Sequence, residues 1–393
     1  MKKIAVLGGG IAGVEAASVL SEYGFDVTLV SNRDYYYIYP LAIWVPVERI
    51  KFNDIKMNLN NLALIHNFRF IKDEVLSIKA KDKEVVLKEN GVLKDFDYLV
   101  IAFGGSKVNP KGMENAYSIC SEPTQALELK EAIQRLVLKG SGKVAIGFGG
   151  NPKDPSGVRG GPAFELLLNL DDYLRSLNLR ENFELTFFAP MEKPGIRLGE
   201  KAFNSAMEML KKLGINIKTG KKIKEFQKDG VILEDGEKIE ADVIAFIPAT
   251  DGHKAVKESD LPQNEAGFIK IDDTTKVIDF DYIYAIGDAA ALEGPDWKAK
   301  QGHLAEAMAR VCAFNIALKE GKEKGTPKSY KEHLSIICLM DMGTKGAGLV
   351  YRNDKKAIFL PMPVIGHYFK KLWGMHFKLV KLKKLPKLPF INY

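Results

Sequence analysis

The sequence predicts an α/β chain of two parallel-sheet domains, one inserted in the other, followed by a shorter β/α region. Three observations carry this expectation. A β-like run, a glycine turn and a helical pattern open the chain and recur from residue 143; apolar runs ending in glycine stand at 96–106 and 281–292; and the last 28 residues interleave aromatic residues with lysines.

The opening element is "KIAVL" at 3–7, followed by Gly8, Gly10 and Gly13, a helical pattern "VEAASVLSEYG" and a second strand "DVTLVS". Strand, turn, helix and strand fit within about 30 residues, the size of one βαβ unit. The glycines have separate tasks: a tight turn, close approach of backbone to a pyrophosphate, and close packing of helix on strand, while the helix N-terminus offers amides to phosphate. The second strand ends in Ser31 and Asn32, uncharged where an acid normally holds the ribose hydroxyls.

The run "FDYLVIAFGGS" and the run "DYIYAIGDAAAL", which ends in Gly287 and Asp288, supply further strands of the same domain. Asp288 suits either a ribityl hydroxyl or a helix N-cap. Between the two runs lies a second Rossmann-like βα unit, holding "KVAIGFGGNPKDPSGVRGGPAFE", the strand "FELTFFA" and the helix-like "KAFNSAMEMLKKLGI". The resulting division is 1–110 with 246–325 for the first dinucleotide-binding domain, 111–245 for the second, and 326–393 for the C-terminal region, where "SIICLMDMG" and "AGLVYR" are β-like.

Composition narrows the class. At 393 residues, 46% apolar and 27% charged, the chain is neither disordered nor collagen-like. The net charge of +7 comes from the last 28 residues, which hold seven lysines and no acid; the rest balances at 50 basic and 50 acidic residues. The excess is a tail property, so a nucleic-acid partner is not expected. Three cysteines, Cys120, Cys312 and Cys338, show neither a disulfide framework nor metal-ligand spacing. No apolar run reaches the roughly 18 residues of a spanning helix, and the first residues resemble a signal peptide without a clear cleavage site; a cytoplasmic, peripheral membrane protein is expected.

In order along the chain, "GGGIAGVEAA", "VTLVSNRDYYYIYPLA", "LVIAFGG", "YAIGDAA" and "KAKQGHLAEAMARVCAFNIA" are similar to segments of flavoproteins with two dinucleotide domains. "YSICSEPTQALEL", "GGPAFELLLNL" and "LSIICLMDMGTKGAGLVY" narrow the likeness: the chain resembles the sulfide:quinone oxidoreductases and the related flavocytochrome c sulfide dehydrogenases over nearly its whole length. This resemblance implies FAD in the first domain, with Gly8, Gly10 and Gly13 at its pyrophosphate, Ser31 and Asn32 at the adenosine ribose, and Val75 at the adenine. It further implies Ala102 and Gly104 along the ADP portion, Gly287 and Asp288 at the ribityl chain, Pro40 near the isoalloxazine and Lys300 at its pyrimidine edge.

The same resemblance implies Cys338 as the catalytic thiol, Cys120 as a cysteine on or near the flavin, and Glu165 as a carboxylate for proton transfer. The bland alternatives are an inert core thiol and a helix-start Glu favoured by the dipole. Cys312 is expected in the core. The departure is Arg159, which stands where the sulfide oxidisers keep a second cysteine. It suits an anion or a thiolate neighbour, or equally a solvated loop. The electron donor expected is sulfide or a small sulfur species, and the acceptor a membrane quinone. Residues 366–393 form a membrane-docking surface with Tyr368 and Phe369 near the quinone, while a homo-oligomer is left open.

The runner-up is a type II NADH:quinone oxidoreductase. Against it, Gly147 and Gly161 lie fourteen residues apart with two prolines between, overfilling a nucleotide turn, and "FELTFFAP" ends without an acid.

Overall fold

The computed structural model describes residues 1–386. Its first sheet runs, edge to edge, Ile283–Ala285, Tyr98–Ile101, Lys3–Leu7, Asp26–Ser31 and Arg69–Lys72, every pair parallel. The central strands are buried along almost their whole length, as expected of a parallel sheet covered on both faces. The helix Ile11–Glu22 makes the crossover between the two neighbouring strands that flank it in sequence. It lies close on the sheet because a β-carbon at Gly13 would stand 1.8 Å from the Gly8 carbonyl oxygen. Only glycine fits there.

The second sheet repeats the design with Asn216–Thr219, Phe183–Ala189, Gly142–Phe148 and Val243–Ile247, again parallel. The chain leaves the first sheet through Gly105–Val108 and returns through Ala249–Gly252, and these two strands pair antiparallel as a ribbon joining the units. Insertion of one domain in the other is thus visible in the strand order.

The C-terminal region is an antiparallel meander of Ile336–Asp341, Gly346–Arg352 and Ala357–Pro363, closed by the helix Ile365–Lys381. That helix corrects one expectation. Its lysines are not all on a lipid-facing surface: Lys370 and Lys381 are buried, and residues 387–393 of the expected docking region lie outside the described residues. Lys381 Nζ pairs with Glu15 of the first helix and, at 2.7 Å, with Glu306; Arg310 Nε donates to the other oxygen of Glu15 at 2.7 Å. A buried ion pair is costly to break from one side, since the partner charge stays in low dielectric. Replacing Lys381 by Ala should therefore lower the unfolding free energy by about 3 kcal/mol, measured by urea denaturation at pH 7, whereas the exposed Lys371→Ala should change it little.

Candidate active site

The functional candidates of the first domain meet at one edge. Gly8 follows the strand Lys3–Leu7, Ser31 ends Asp26–Ser31, Ala102 follows Tyr98–Ile101, and Asp288 follows Ile283–Ala285. Four neighbouring parallel strands thus present their carboxyl ends together, where open α/β sheets bind ligands. The turn and the strand end touch: a β-carbon at Gly8 would lie 2.5 Å from Phe103 Cα. At Gly10 and Gly104 an added β-carbon would meet nothing within 4 Å, so both backbones face an open cradle. Ser31 is buried with its hydroxyl accepting from the Arg33 amide at 3.3 Å, Asn32 is exposed, and Val75 is half-buried on a separate antiparallel sheet.

A cavity of about 780 Å³ opens between the two domains and the C-terminal region, and Ile11, the residue after Gly10, is in its wall. Pro40, Arg159, Glu165, Lys300 and Cys338 are all in its walls, so the structure gathers candidates from four distant segments. Cys338 lies on the strand Ile336–Asp341, and its Sγ would stand 4.0 Å from a β-carbon at Gly161, the first residue of the helix Gly161–Ser176. Cys120 is buried and is not one of the wall residues, and Cys312 is fully buried in the core.

Burial sets the electrostatics. It pushes the Cys338 thiol up to about 12, with Glu165 raising it further and Lys370 opposing. Burial likewise raises Cys120, while Lys107 and Arg159 pull it down. Lys300 is brought down to about 7, again chiefly by burial; its Nζ donates to the Ala290 carbonyl and lies 3.9 Å from the Phe268 ring centroid. A lysine so placed changes charge near neutrality. Arg159 does not point into solvent: its guanidinium pairs with Asp288 Oδ2, although its Nε is buried without a hydrogen-bond partner.

The stretched loop of the second domain is filled from within. Asn151 accepts from the amides of Lys153 and Asp154 and donates to the Thr250 carbonyl at 2.9 Å; Asp154 accepts from the Ser156 amide at 3.0 Å and from Asn264 at 2.9 Å. Gly157 presses on the returning strand, where a β-carbon would stand 2.3 Å from the Thr250 oxygen. Asn151 and Asp154 thus find partners within the protein, while Ser156 Oγ and Arg159 Nε, both buried, have none among the described residues.

Sequence reasoning missed Lys370, Asp341, His367 and Trp44, which surround Glu165 and the thiol strand. A legible signal existed: Gly366, Lys370 and Gly374 recur every four residues, one stripe of a helix that packs closely.

Two sheets of the dinucleotide-binding type, a glycine cradle at the carboxyl edge of the first and a thiol in the cavity between them define a two-domain oxidoreductase of the flavin-binding kind. Residues 2–309 match the family described as "Pyridine nucleotide-disulphide oxidoreductase", and the chain belongs to it. Such enzymes imply a flavin, and the open glycine cradle fits one. Among similar proteins, "Sulfide-quinone reductase" of Aquifex aeolicus is 27% identical over 96% of this chain and 90% of its own length. "Type II NADH:quinone oxidoreductase" of Haemophilus influenzae is 26% identical over 96% of this chain and 93% of its own. The solved structure of the Aquifex aeolicus sulfide:quinone oxidoreductase superposes with a TM-score of 0.87 at 24% identity, covering 99% of this chain and 94% of that one.

The three thiols differ enough to be told apart in solution. Iodoacetamide should label Cys338 ahead of Cys120 and Cys312 in native protein, with a rate rising about tenfold per pH unit from pH 7 to 9, because only the thiolate reacts. Peptide mass spectrometry reads both the order and the slope.

Proposed function

We propose that this chain is an FAD-dependent oxidoreductase that passes electrons from sulfide, or a related reduced sulfur species, through Cys338 and the flavin to a membrane quinone. The observation that carries this reading is Cys338 in the wall of a cavity that also takes in Pro40, Lys300 and Ile11, the residue after Gly10. The bound flavin would supply the chemistry of accepting two electrons from sulfur and handing them to the quinone.

The protein's part is binding, orientation and charge. Gly8, Gly10 and Gly13 bring the first helix N-terminus to the pyrophosphate. Ser31, Asn32 and Val75 flank the adenosine end, and Ala102 and Gly104 line the approach. Asp288 keeps Oδ1 for a ribityl hydroxyl while Oδ2 holds Arg159. Pro40 and Lys300 border the ring system, and a protonated Lys300 favours negative charge there. Joining hydrosulfide sulfur to Cys338 Sγ is a two-electron oxidation for which a bound flavin would be the oxidant, and the proton lost from sulfur would need an acceptor. Glu165, raised by burial against the pull of Lys370, stands beside that thiol. Family likeness is what puts Cys120 near the flavin; it is buried outside the cavity wall. The division at the 105–108/249–252 ribbon then separates an FAD domain from an insert that serves as its wall.

The membrane part rests on the outer face of the last helix. Ile365, Tyr368, Phe369, Leu372 and Met375 are exposed there, next to Ile358 and Leu360 on the edge strand. An apolar face rimmed by lysine suits an anionic bilayer. Phe369 also lines the cavity, whereas Tyr368 does not, so Phe369 is the better candidate for the quinone passage. No helix among the described residues is long and apolar enough to cross a membrane.

The NADH-oxidising alternative is opposed by the filled loop of the second domain. Anaerobic addition of sulfide should bleach the flavin absorbance of the purified protein, NADH should leave it unchanged over the same time, and Cys338→Ser should abolish the sulfide response; rapid bleaching by NADH would overturn the reading. Separately, replacing Tyr368, Leu372 and Met375 by Ser should weaken sedimentation with phosphatidylglycerol vesicles about tenfold or more, each side chain being worth roughly 1 kcal/mol or more of apolar burial.

A further inference from the structure

The helix Ile365–Lys381 turns its other face inward, and two glycines set how deeply it seats. A β-carbon at Gly366 would lie 2.6 Å from the Ala347 amide nitrogen, and one at Gly374 would lie 2.7 Å from Leu41 Cδ1. This close approach carries Lys370, between them, into the interior. Its Nζ pairs with Glu165 Oε1 and donates to the Leu339 carbonyl at 3.2 Å, one residue beyond Cys338.

Glu165 Oε1 also accepts from the Asp341 amide at 2.8 Å, so the Lys370–Glu165 pair grips the thiol strand at two backbone positions. The Asp341 side chain is held in turn by Trp44 Nε1 at 2.8 Å and by His367 Nδ1 at 2.9 Å, and His367 lies on the same helix three residues before Lys370. One helix therefore steadies the strand of Cys338 from Leu339 to Asp341.

We propose that Lys370 is a positioning residue for Cys338: reaching in from the C-terminal helix, it fixes the strand through Leu339 and neutralises Glu165, so that the neighbouring thiol can ionise. The inference rests on the reading of Cys338 as the reacting thiol. The charges facing that thiol are few. Glu165, from the helix Gly161–Ser176, raises it and Lys370 lowers it. The wall also carries Arg159, paired with Asp288; Arg197, on the carbonyls of Pro155 and Val158; His303, held down at about 4 by burial, with the Ser335 carbonyl; Lys300, on the Ala290 carbonyl; Glu15, with Arg310 and Lys381, the latter also on Glu306; and Lys193, Asp296 and His376. The sign follows. A cation beside Glu165 favours thiolate; without it, the buried carboxylate opposes a second negative charge.

The test reads the thiol directly, in flavin-loaded protein, by the pH dependence of iodoacetamide labelling of Cys338. Lys370→Met should displace the profile upward by about one pH unit and slow labelling about tenfold at pH 8, one unit being tenfold in thiolate. Lys370→Arg should stay near the parent, and Glu165→Gln combined with Lys370→Met should restore labelling, because the effect acts through the carboxylate's charge. A loss in Lys370→Met that is equal at every pH, or one that the double variant does not reverse, would show a lysine that merely supports the fold and would overturn the proposal. Should Lys370→Met fail to fold, Glu165→Gln alone decides: it must move the profile downward, and an unmoved profile refutes the inference. Labelling needs neither sulfide nor quinone, so a flavin that ignores sulfide would remove the functional reading while leaving this result standing.

Discussion

Everything at the centre of the molecule depends on two buried lysines of the C-terminal helix. Lys370 closes on Glu165 beside the thiol strand, and Lys381 closes on Glu15 and Glu306 beneath the first helix. Both contacts border one cavity, so the helix is a brace between the region that holds Cys338 and the domain that holds the glycine cradle. Buried pairs contribute little net energy compared with apolar packing, but leaving one charge alone is severe. The helix is accordingly held to one seating.

That brace explains how an amphipathic helix can serve two masters. Its exposed residues include Ile365, Tyr368, Phe369, Leu372 and Met375, while its inward face combines glycine and paired lysine with Trp373 and Phe377, which pack against the core. In a water-soluble helix the apolar residues usually gather on the buried side. Here they stand on both faces.

The sequence revealed the parts whose residue types have few alternative uses. Gly8, Gly10 and Gly13 after "KIAVL" permit little besides a tight strand-to-helix turn, and the strand-end Asp288 followed once that sheet was recognised, whereas Ala102 came from family likeness. Family likeness placed Cys338 and Glu165. What stayed hidden depends on distant packing: a lysine is ordinarily a solvated residue, and nothing near Lys370 in the chain announces Glu165, 205 residues away. The interior of the stretched loop was similarly hidden, since Asn151 and Asp154 look like ordinary turn formers until Thr250 and Asn264 are seen bonding to them. Arg159, ambiguous in sequence, resolves into the partner of Asp288, which explains its inward course but leaves Cys338 as the one cysteine in the cavity wall among the described residues.

The filled loop bears on how the second domain fares in the cell. A turn that wraps a nucleotide is loose until its ligand arrives, whereas this one closes on Asn151, Asp154 and Thr250 as the chain folds. On the proposed reading the inserted sheet serves as scaffolding. Substitutions within it should be felt through surveillance by proteases and chaperones, as fewer copies of an otherwise competent protein, rather than through altered affinity for a cofactor.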